Sequence, residues 1–303
     1  VSCGGKHALY NIAQVLFEAG DEVIIPSPYW VSYPDQVIIN DAKPVIVETQ
    51  EKNGFKITAA ELEKAITPQT KAFILNSPSN PTGAAYSRQE LEALAEVLVR
   101  KNVLCISDEI YEKIVYDGFQ FVSIASLNEE IKKRTITVNG ASKVYSMTGW
   151  RMGYAAGPKE IIAAMTKLQG QVTTNINSMT QWASIAALNG SQEFLKDWVG
   201  EFKKRRDYIL ERFSKIAGVT CYKPEGAFYV FPNISTYIGK KADGKVLNSD
   251  DEIANYLLDK HLVAVVAGSG FGAPGFIRLS YATSMENIQK GLDRIEKGLK
   301  ELQ

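Results

Sequence analysis

Apolar positions fall along the chain in two alternating rhythms. Short apolar runs closed by glycine, proline or asparagine occur over Glu22–Ile25, Pro44–Glu48, Lys71–Leu75, Val103–Ser107 and Thr135–Asn139, and each predicts a buried strand. Stretches of helical period lie between them. Ala8, Leu9, Ile12, Ala13, Leu16 and Phe17 make one apolar face and predict a helix that ends near Gly20. A second helix is expected over Ala59–Ile66, and Ser87 with Glu90 forms a capping box ahead of a third bearing Leu91, Leu94, Ala95 and Leu98. Strand and helix alternate from residue 1 to about 157, which argues for an α/β fold with a mostly parallel sheet.

Beyond Gly157 the pattern turns helical, over Pro158–Leu168, Ser178–Leu188 and a long segment from Gln192 to Ile216. Lys203-Lys204-Arg205-Arg206 lies inside the long segment and reads as a solvated helix face rather than a nucleic-acid contact. Strands are then expected at Val219–Tyr222, Ala227–Phe231, Val263–Ala267 and Phe276–Ala282. Between them stands a helix over Ser249–Leu262 with Ser249 and Glu252 as capping box, and the chain closes on an amphipathic helix bearing Ile288, Leu292, Ile295 and Leu299. This predicts a large domain, 1–205, and a smaller α+β domain, 206–303. Gly268-Ser-Gly270-Phe-Gly272-Ala273 matches the glycine fingerprint of dinucleotide folds, but Pro274 and a strand follow where that motif needs a helix.

Composition narrows the classes. Thirty-four basic residues balance thirty-four acidic ones in 303 residues, so no bulk charge points to nucleic acid or an acidic membrane. No apolar run is long enough for a membrane span, and the start does not resemble a signal peptide. Three widely spaced cysteines, Cys3, Cys105 and Cys221, suit a reducing compartment, and a cytoplasmic location is expected. With only His7 and His261, a histidine-built metal site or a serine–histidine–aspartate triad has little material, and no metal is expected. Val1-Ser2-Cys3-Gly4-Gly5 starts as if leaving a strand that is not there, which suggests an N-terminal truncation.

Candidate chemistry gathers where the predicted strands end, the place at which open α/β sheets bind ligands. Lys143 follows the run ending at Asn139, with Ser142 before it and Arg151 after it. A desolvated lysine amine can lose its proton and attack a carbonyl, and pyridoxal phosphate is the commonest partner in that role. Asp108 ends another strand and is the candidate acid for a pyridine nitrogen; Asn80, held extended by Pro81, can aim its amide at a ligand. Trp30 beyond a third strand can stack on a planar ring or simply pack. Gly5 and Lys6 open a helix that can seat an anion or merely be capped there. On the residues alone, Lys143 and Arg151 could equally be solvated charges in a loop.

Taken in order, Gly5-Lys6, Trp30, Asn80-Pro-Thr-Gly83, Asp108-Glu-Ile-Tyr111, Ser142-Lys143, Arg151 and Phe276-Ile-Arg278-Leu-Ser-Tyr-Ala282 closely resemble the class I, fold-type I pyridoxal-phosphate aminotransferases over the whole chain. The resemblance implies helices on both faces of the sheet and pyridoxal 5'-phosphate as cofactor. It implies Lys143 as Schiff-base lysine and proton carrier, and Asp108 as partner of the pyridine nitrogen. It implies Tyr111 and Asn80 as donors to the ring's phenolic oxygen, Trp30 as stacking ring with Tyr29 the second candidate, and Gly5, Lys6, Ser142 and Arg151 as phosphate cradle. Arg278 is implied as the bidentate partner of the substrate α-carboxylate, with Lys6, Trp30 and Asn80 also on the substrate.

Pro28-Tyr-Trp-Val-Ser-Tyr-Pro34 and Ser146-Met-Thr-Gly-Trp-Arg151 resemble most closely the bacterial aspartate aminotransferase subgroup. Ping-pong transfer from aspartate to 2-oxoglutarate, giving oxaloacetate and glutamate, is therefore expected, with a homodimer that shares its active sites. Lys6 resembles the residue that helps hold the substrate's side-chain carboxylate. Aspartate/prephenate or aromatic aminotransferases of the same family are the alternative, followed by a pyridoxal-phosphate β-lyase or an inactive truncated fragment. The family's usual N-terminal portion, which closes over the substrate and reaches the neighbouring subunit, has no counterpart in the sequence.

Overall fold

The computed structural model describes residues 1–302. Its largest sheet has six strands: β1 (Glu22–Ser27), β2 (Lys43–Glu48), β3 (Thr70–Asn76), β4 (Leu104–Asp108), β5 (Thr135–Gly140) and β6 (Gly153–Ala156). They lie in the order β2-β1-β3-β4-β5-β6. The first five run parallel, as the continuous apolar runs predict, and β6 pairs antiparallel with β5 at one edge.

Helices cover both faces, and the alternation of side chains along each strand decides which residue meets which helix. Val23 and Ile25 of β1 join Ile74, Ile106 and Val138 on one face. There they pack on Ala8, Leu9, Ile12 and Ala13 of α1 (Gly5–Leu16) and on Met165, which lies in the helix Lys159–Gly170. Ile24, Phe73, Leu75 and Cys105 face the other way, against Leu62 and against Leu91, Leu94, Ala95 and Leu98. The helices on that side are Ala59–Ala65 and Arg88–Lys101, each opened by a complete capping box, Thr58 with Glu61 and Ser87 with Glu90. With Ser32–Ile38 as α2, these two are α3 and α4, and Glu129–Lys132 is α5. The sequence pattern did not predict α2, α5 or β6.

After α6 (Lys159–Gly170) come α7 (Ser178–Asn189) and α8 (Phe194–Phe213), a continuous helix through residues 205 and 206. The remaining strands are short: β7 (Thr220–Cys221) pairs with β9 (Pro232–Asn233), and β10 (Lys241–Ala242) with β11 (Lys245–Val246). A three-stranded antiparallel sheet has the order β12 (Val266–Ala267), β13 (Ile277–Ser280), β8 (Tyr229–Val230). α10 (Met285–Glu301) packs on both α8 and α9 (Asp250–His261), in a core that holds Ile209, Phe213, Ile253, Leu257, Ile288, Leu292 and Ile295. Tyr111, Ile114 and Tyr116, from the loop leaving β4, enter this second core. Among the described residues no helix is long and apolar enough to cross a membrane.

Two local expectations are corrected. Ser249 accepts the Glu252 N–H, but the Glu252 carboxylate takes the Asn248 N–H at 2.6 Å, so the capping box is only half formed. Arg206 is fully buried rather than solvated, because it lies on the same helical face as Ile209 and Phe213. Its guanidinium donates to Asp117 at 2.8 Å and to the Pro224 carbonyl at 2.8 Å, and lies 4.7 Å from the Tyr116 ring centroid. Lys204 alongside remains exposed.

Candidate active site

The parallel register sets Asn76 beside Asp108 and Asp108 beside Val138, so β3 and β4 end level and β5 runs two residues further at the same edge. A cavity of about 360 Å³ opens there, and all ten predicted site residues line it: Gly5, Lys6, Trp30, Asn80, Asp108, Tyr111, Ser142, Lys143, Arg151 and Arg278. A larger cavity of about 670 Å³, lined by Met152, Met165, Gln169, Ile176 and Leu188 among others, has no ionisable side chain in its wall. That larger cavity has no side chain for proton chemistry, whereas the smaller one has several.

Asp108 is buried at the cavity floor. One carboxylate oxygen accepts the Tyr33 hydroxyl at 2.7 Å and the other the Ile110 N–H at 3.3 Å. Burial pushes its carboxyl up to about 6, against those two hydrogen bonds and the charge of Lys143. A cation placed before it would restore the ionised form. Tyr33, on α2, also meets Trp30 edge to face at 5.3 Å.

Lys143 sits in the turn after β5, its Nζ 5.8 Å from the Tyr111 ring centroid and 5.7 Å from that of Phe228. Its amine is held below the ordinary lysine range, by burial first and then by the charges of Arg278 and Arg151, with Asp108 opposing. That shift is what a nucleophile and proton carrier requires.

At one end of the cavity, α1 begins with no side-chain cap and no acidic residue in its first turn. Arg151 adopts a left-handed φ of 54°, and its guanidinium donates to the carbonyls of Thr148 at 2.9 Å and Cys3 at 3.2 Å. A Cβ on Gly4, whose φ is 92°, would stand 2.2 Å from Arg151 Nη2. Backbone and guanidinium thus converge on a seat for an anion. At the other end, Arg278 donates to Asn80 Oδ1 at 3.0 Å and lies between the rings of Tyr229 and Phe271, 4.8 and 4.9 Å from their centroids. Its buried Nε has no partner. Tyr111 and Tyr229 share a hydroxyl hydrogen bond at 2.8 Å, and Lys6 Nζ lies 4.9 Å from the Trp30 ring.

An anion seat, a buried acid and an amine depressed by burial and by neighbouring cations within one cavity suit pyridoxal phosphate, whose phosphate, pyridine nitrogen and aldehyde need those three groups. The sequence matches the family described as Aminotransferase class I and II over residues 1–295. The chain belongs to the class I and II aminotransferases.

A curated aspartate aminotransferase from Geobacillus stearothermophilus is 52% identical to this aminotransferase over 98% of the chain and 75% of its own length. A probable aspartate/prephenate aminotransferase from Rickettsia conorii is 48% identical over 98% of the chain and 75% of its length. The crystal structure of the aspartate aminotransferase from Rhizobium meliloti superposes with a TM-score of 0.96 at 47% identity, covering 100% of this chain and 76% of that one. The chain is thus an aminotransferase of fold type I that uses pyridoxal phosphate, and small molecules are its substrates.

Tyr33, Tyr229, Asn76 and Thr148 also line the cavity, and no sequence pattern marks them as site residues. Tyr33 lies within Pro28–Pro34, whose signal is its resemblance to the aspartate aminotransferase subgroup. The Gly268–Phe271 stretch forms a 3-10 turn between β12 and β13, as its following proline and strand required.

A second buried acid stands outside the cavity. Glu109 accepts hydrogen bonds from Ser107 at 2.8 Å and Ser123 at 2.7 Å, yet burial raises its carboxyl from 4.5 to about 7. Its folded value exceeds its unfolded one, so the native state binds the extra proton and stability falls as pH rises from about 4.5 through 7. The loss is on the order of 3 kcal/mol. Glu109→Gln is therefore expected to raise the melting temperature at pH 8 by about 5 °C and to change it little at pH 5. Thermal denaturation at both values checks this; an equal effect at the two would contradict it.

Proposed function

We propose that this aminotransferase moves an amino group between aspartate and 2-oxoglutarate, giving oxaloacetate and glutamate. The observation that carries the reading is two separate cations, Arg278 and Lys6, which line one cavity and suit the two carboxylates of a dicarboxylic amino acid. The names of the relatives support it. In a coupled assay kcat/KM for aspartate is expected to exceed that for alanine and phenylalanine by about 100-fold, as the loss of one charge-assisted bond of about 1.5–3 kcal/mol to the side-chain carboxylate would dictate. Faster turnover of either monocarboxylic substrate would refute the assignment. Prephenate as a second acceptor is the alternative, on the strength of the Rickettsia relative's name.

Pyridoxal phosphate, when bound, supplies a carbonyl for the amine and a ring that accepts the electrons left when the α-proton departs. Within the chain, the α1 N-terminus, Ser142 and Arg151 would hold the phosphate, and Asp108 would hold a negative charge for the ring nitrogen. Tyr111 and Asn80 would serve as donors to the phenolic oxygen, and Trp30 would offer its ring for stacking. Arg278 fixes the α-carboxylate, which sets the α-hydrogen against Lys143. Lys143 Nζ takes that proton and delivers it to the neighbouring carbon, a role its lowered pKa suits.

The same reading places a large cofactor-binding domain over 1–205 and a small domain over 206–303, with α8 joining them. It also makes the protein a cytoplasmic homodimer. Cys3, Cys105 and Cys221 are free thiols, which suits a reducing compartment. Met179, Trp182, Ile185 and Leu188 form an outward apolar stripe on α7, with Trp182 74% exposed, and exposed patches of this kind mark interfaces. Sedimentation at micromolar concentration is expected to give a dimer, and Trp182→Glu to shift it toward monomer. A monomeric parent would sink the dimer.

A further inference from the structure

Asp250 is a carboxylate outside the cavity, 1% exposed, at the first position of α9. Both of its oxygens are taken by one residue: Oδ2 accepts the Ser269 N–H at 2.7 Å and Oδ1 the Ser269 hydroxyl at 2.5 Å. Burying a carboxylate costs several kcal/mol unless it is fully paired, and an apolar side chain would hold a loop more cheaply. What the carboxylate adds is direction, because two bonds to one residue fix the orientation of the 3-10 turn Gly268–Phe271.

That turn makes two contacts with the active site. The Phe271 ring stands 4.9 Å from the Arg278 guanidinium. The Phe271 carbonyl accepts the Tyr29 N–H at 3.0 Å, next to Trp30. The fit is close, since a Cβ on Gly272, whose φ is 71°, would lie 2.6 Å from the Tyr29 ring. A turn free to rotate would withdraw the aromatic face that helps confine Arg278 and would loosen the Tyr29–Trp30 wall together.

We propose that Asp250 is a positioning residue for substrate binding: by clasping Ser269 it fixes the turn whose Phe271 ring backs Arg278 and whose carbonyl holds Tyr29. The inference rests on the reading of Arg278 as the α-carboxylate site. It touches neither the phosphate seat nor Asp108 and Lys143, so loss of the clasp alters substrate affinity and leaves cofactor retention and the proton-transfer step in place.

The test uses the cofactor-loaded enzyme. Asp250→Ala is expected to raise KM for aspartate and for 2-oxoglutarate about tenfold, with kcat changed less than about threefold, and to weaken calorimetric binding of succinate in parallel. Asp250→Asn keeps an oxygen for the Ser269 N–H and an amide N–H for its hydroxyl, and is expected to stay within about twofold of the parent. If Asp250→Ala does not fold, Ser269→Ala carries the test, with about a threefold rise in KM. Unchanged KM and succinate affinity in whichever variant folds would overturn the proposal, as would a fall confined to kcat. Arg278→Lys measured alongside separates the two readings. If it too leaves KM and succinate affinity unchanged, the carboxylate assignment fails; if it raises them while the Asp250 and Ser269 variants do not, only the positioning role fails.

Discussion

Lys143→Ala is expected to lower amino transfer by about a millionfold, the scale seen when an enzyme loses its covalent nucleophile. Two roles vanish with one amine, attachment of the cofactor and carriage of the α-proton. Lys143→Arg keeps the charge but not the chemistry, because a guanidinium does not deprotonate at working pH, so it is expected to be equally inactive. The fold is expected to survive. Lys143 Nζ faces the rings of Tyr111 and Phe228, and its charged amine is disfavoured by burial and then by Arg278 and Arg151, with only Asp108 favouring it, so its removal relieves a buried charge. Absorbance of the cofactor attached through Lys143 should disappear while the melting temperature of the cofactor-free protein stays level or rises. Residual activity above about 1% of the parent would contradict the assignment of Lys143.

The strand exits were legible because parallel strands buried on both faces read as unbroken apolar runs, and the polar residue that ends each run stands out. The order of motifs then picked out ten of the residues that line the cavity. Tyr33 was not legible in that way. Its helix has seven residues, with Pro34 in its first turn, too short for a helical period, and its hydroxyl acts on Asp108 across 75 positions. Arg206 was misread because a basic run looks solvated unless the buried face of its helix is already known. β6 has four residues and little apolar signal, so its pairing with β5 makes it a strand. The C-terminal strands came out shorter than predicted. Ala227 takes a left-handed φ of 56°, and aromatic packing, with Phe231 and Phe276 stacked at 4.9 Å, holds that region more than ladders do.

Asp108→Asn is expected to reduce kcat/KM by about a thousandfold while leaving the geometry in place. Asparagine has the same shape and can still accept the Tyr33 hydroxyl, which Asp108 accepts at 2.7 Å, so the substitution removes the charge and, with it, only the long 3.3 Å acceptor contact to the Ile110 N–H. Losing one partner of a buried ion pair costs about 3–5 kcal/mol, and each 1.4 kcal/mol is tenfold in rate. The pH dependence gives an independent reading of the same contact. In the cofactor-free pocket the Asp108 carboxyl is pushed up to about 6, so below that value it is mostly protonated and must release its proton before it can pair with a cationic ring. Cofactor affinity is therefore expected to be constant above pH 6 and to fall by up to tenfold per unit below it. In Asp108→Asn this slope should vanish, because position 108 no longer titrates. Titration of the cofactor-free parent and variant at pH 5 and pH 7 measures both. Equal affinity of the parent at the two values, or a variant within tenfold of the parent's kcat/KM, would show that the ring nitrogen does not depend on Asp108.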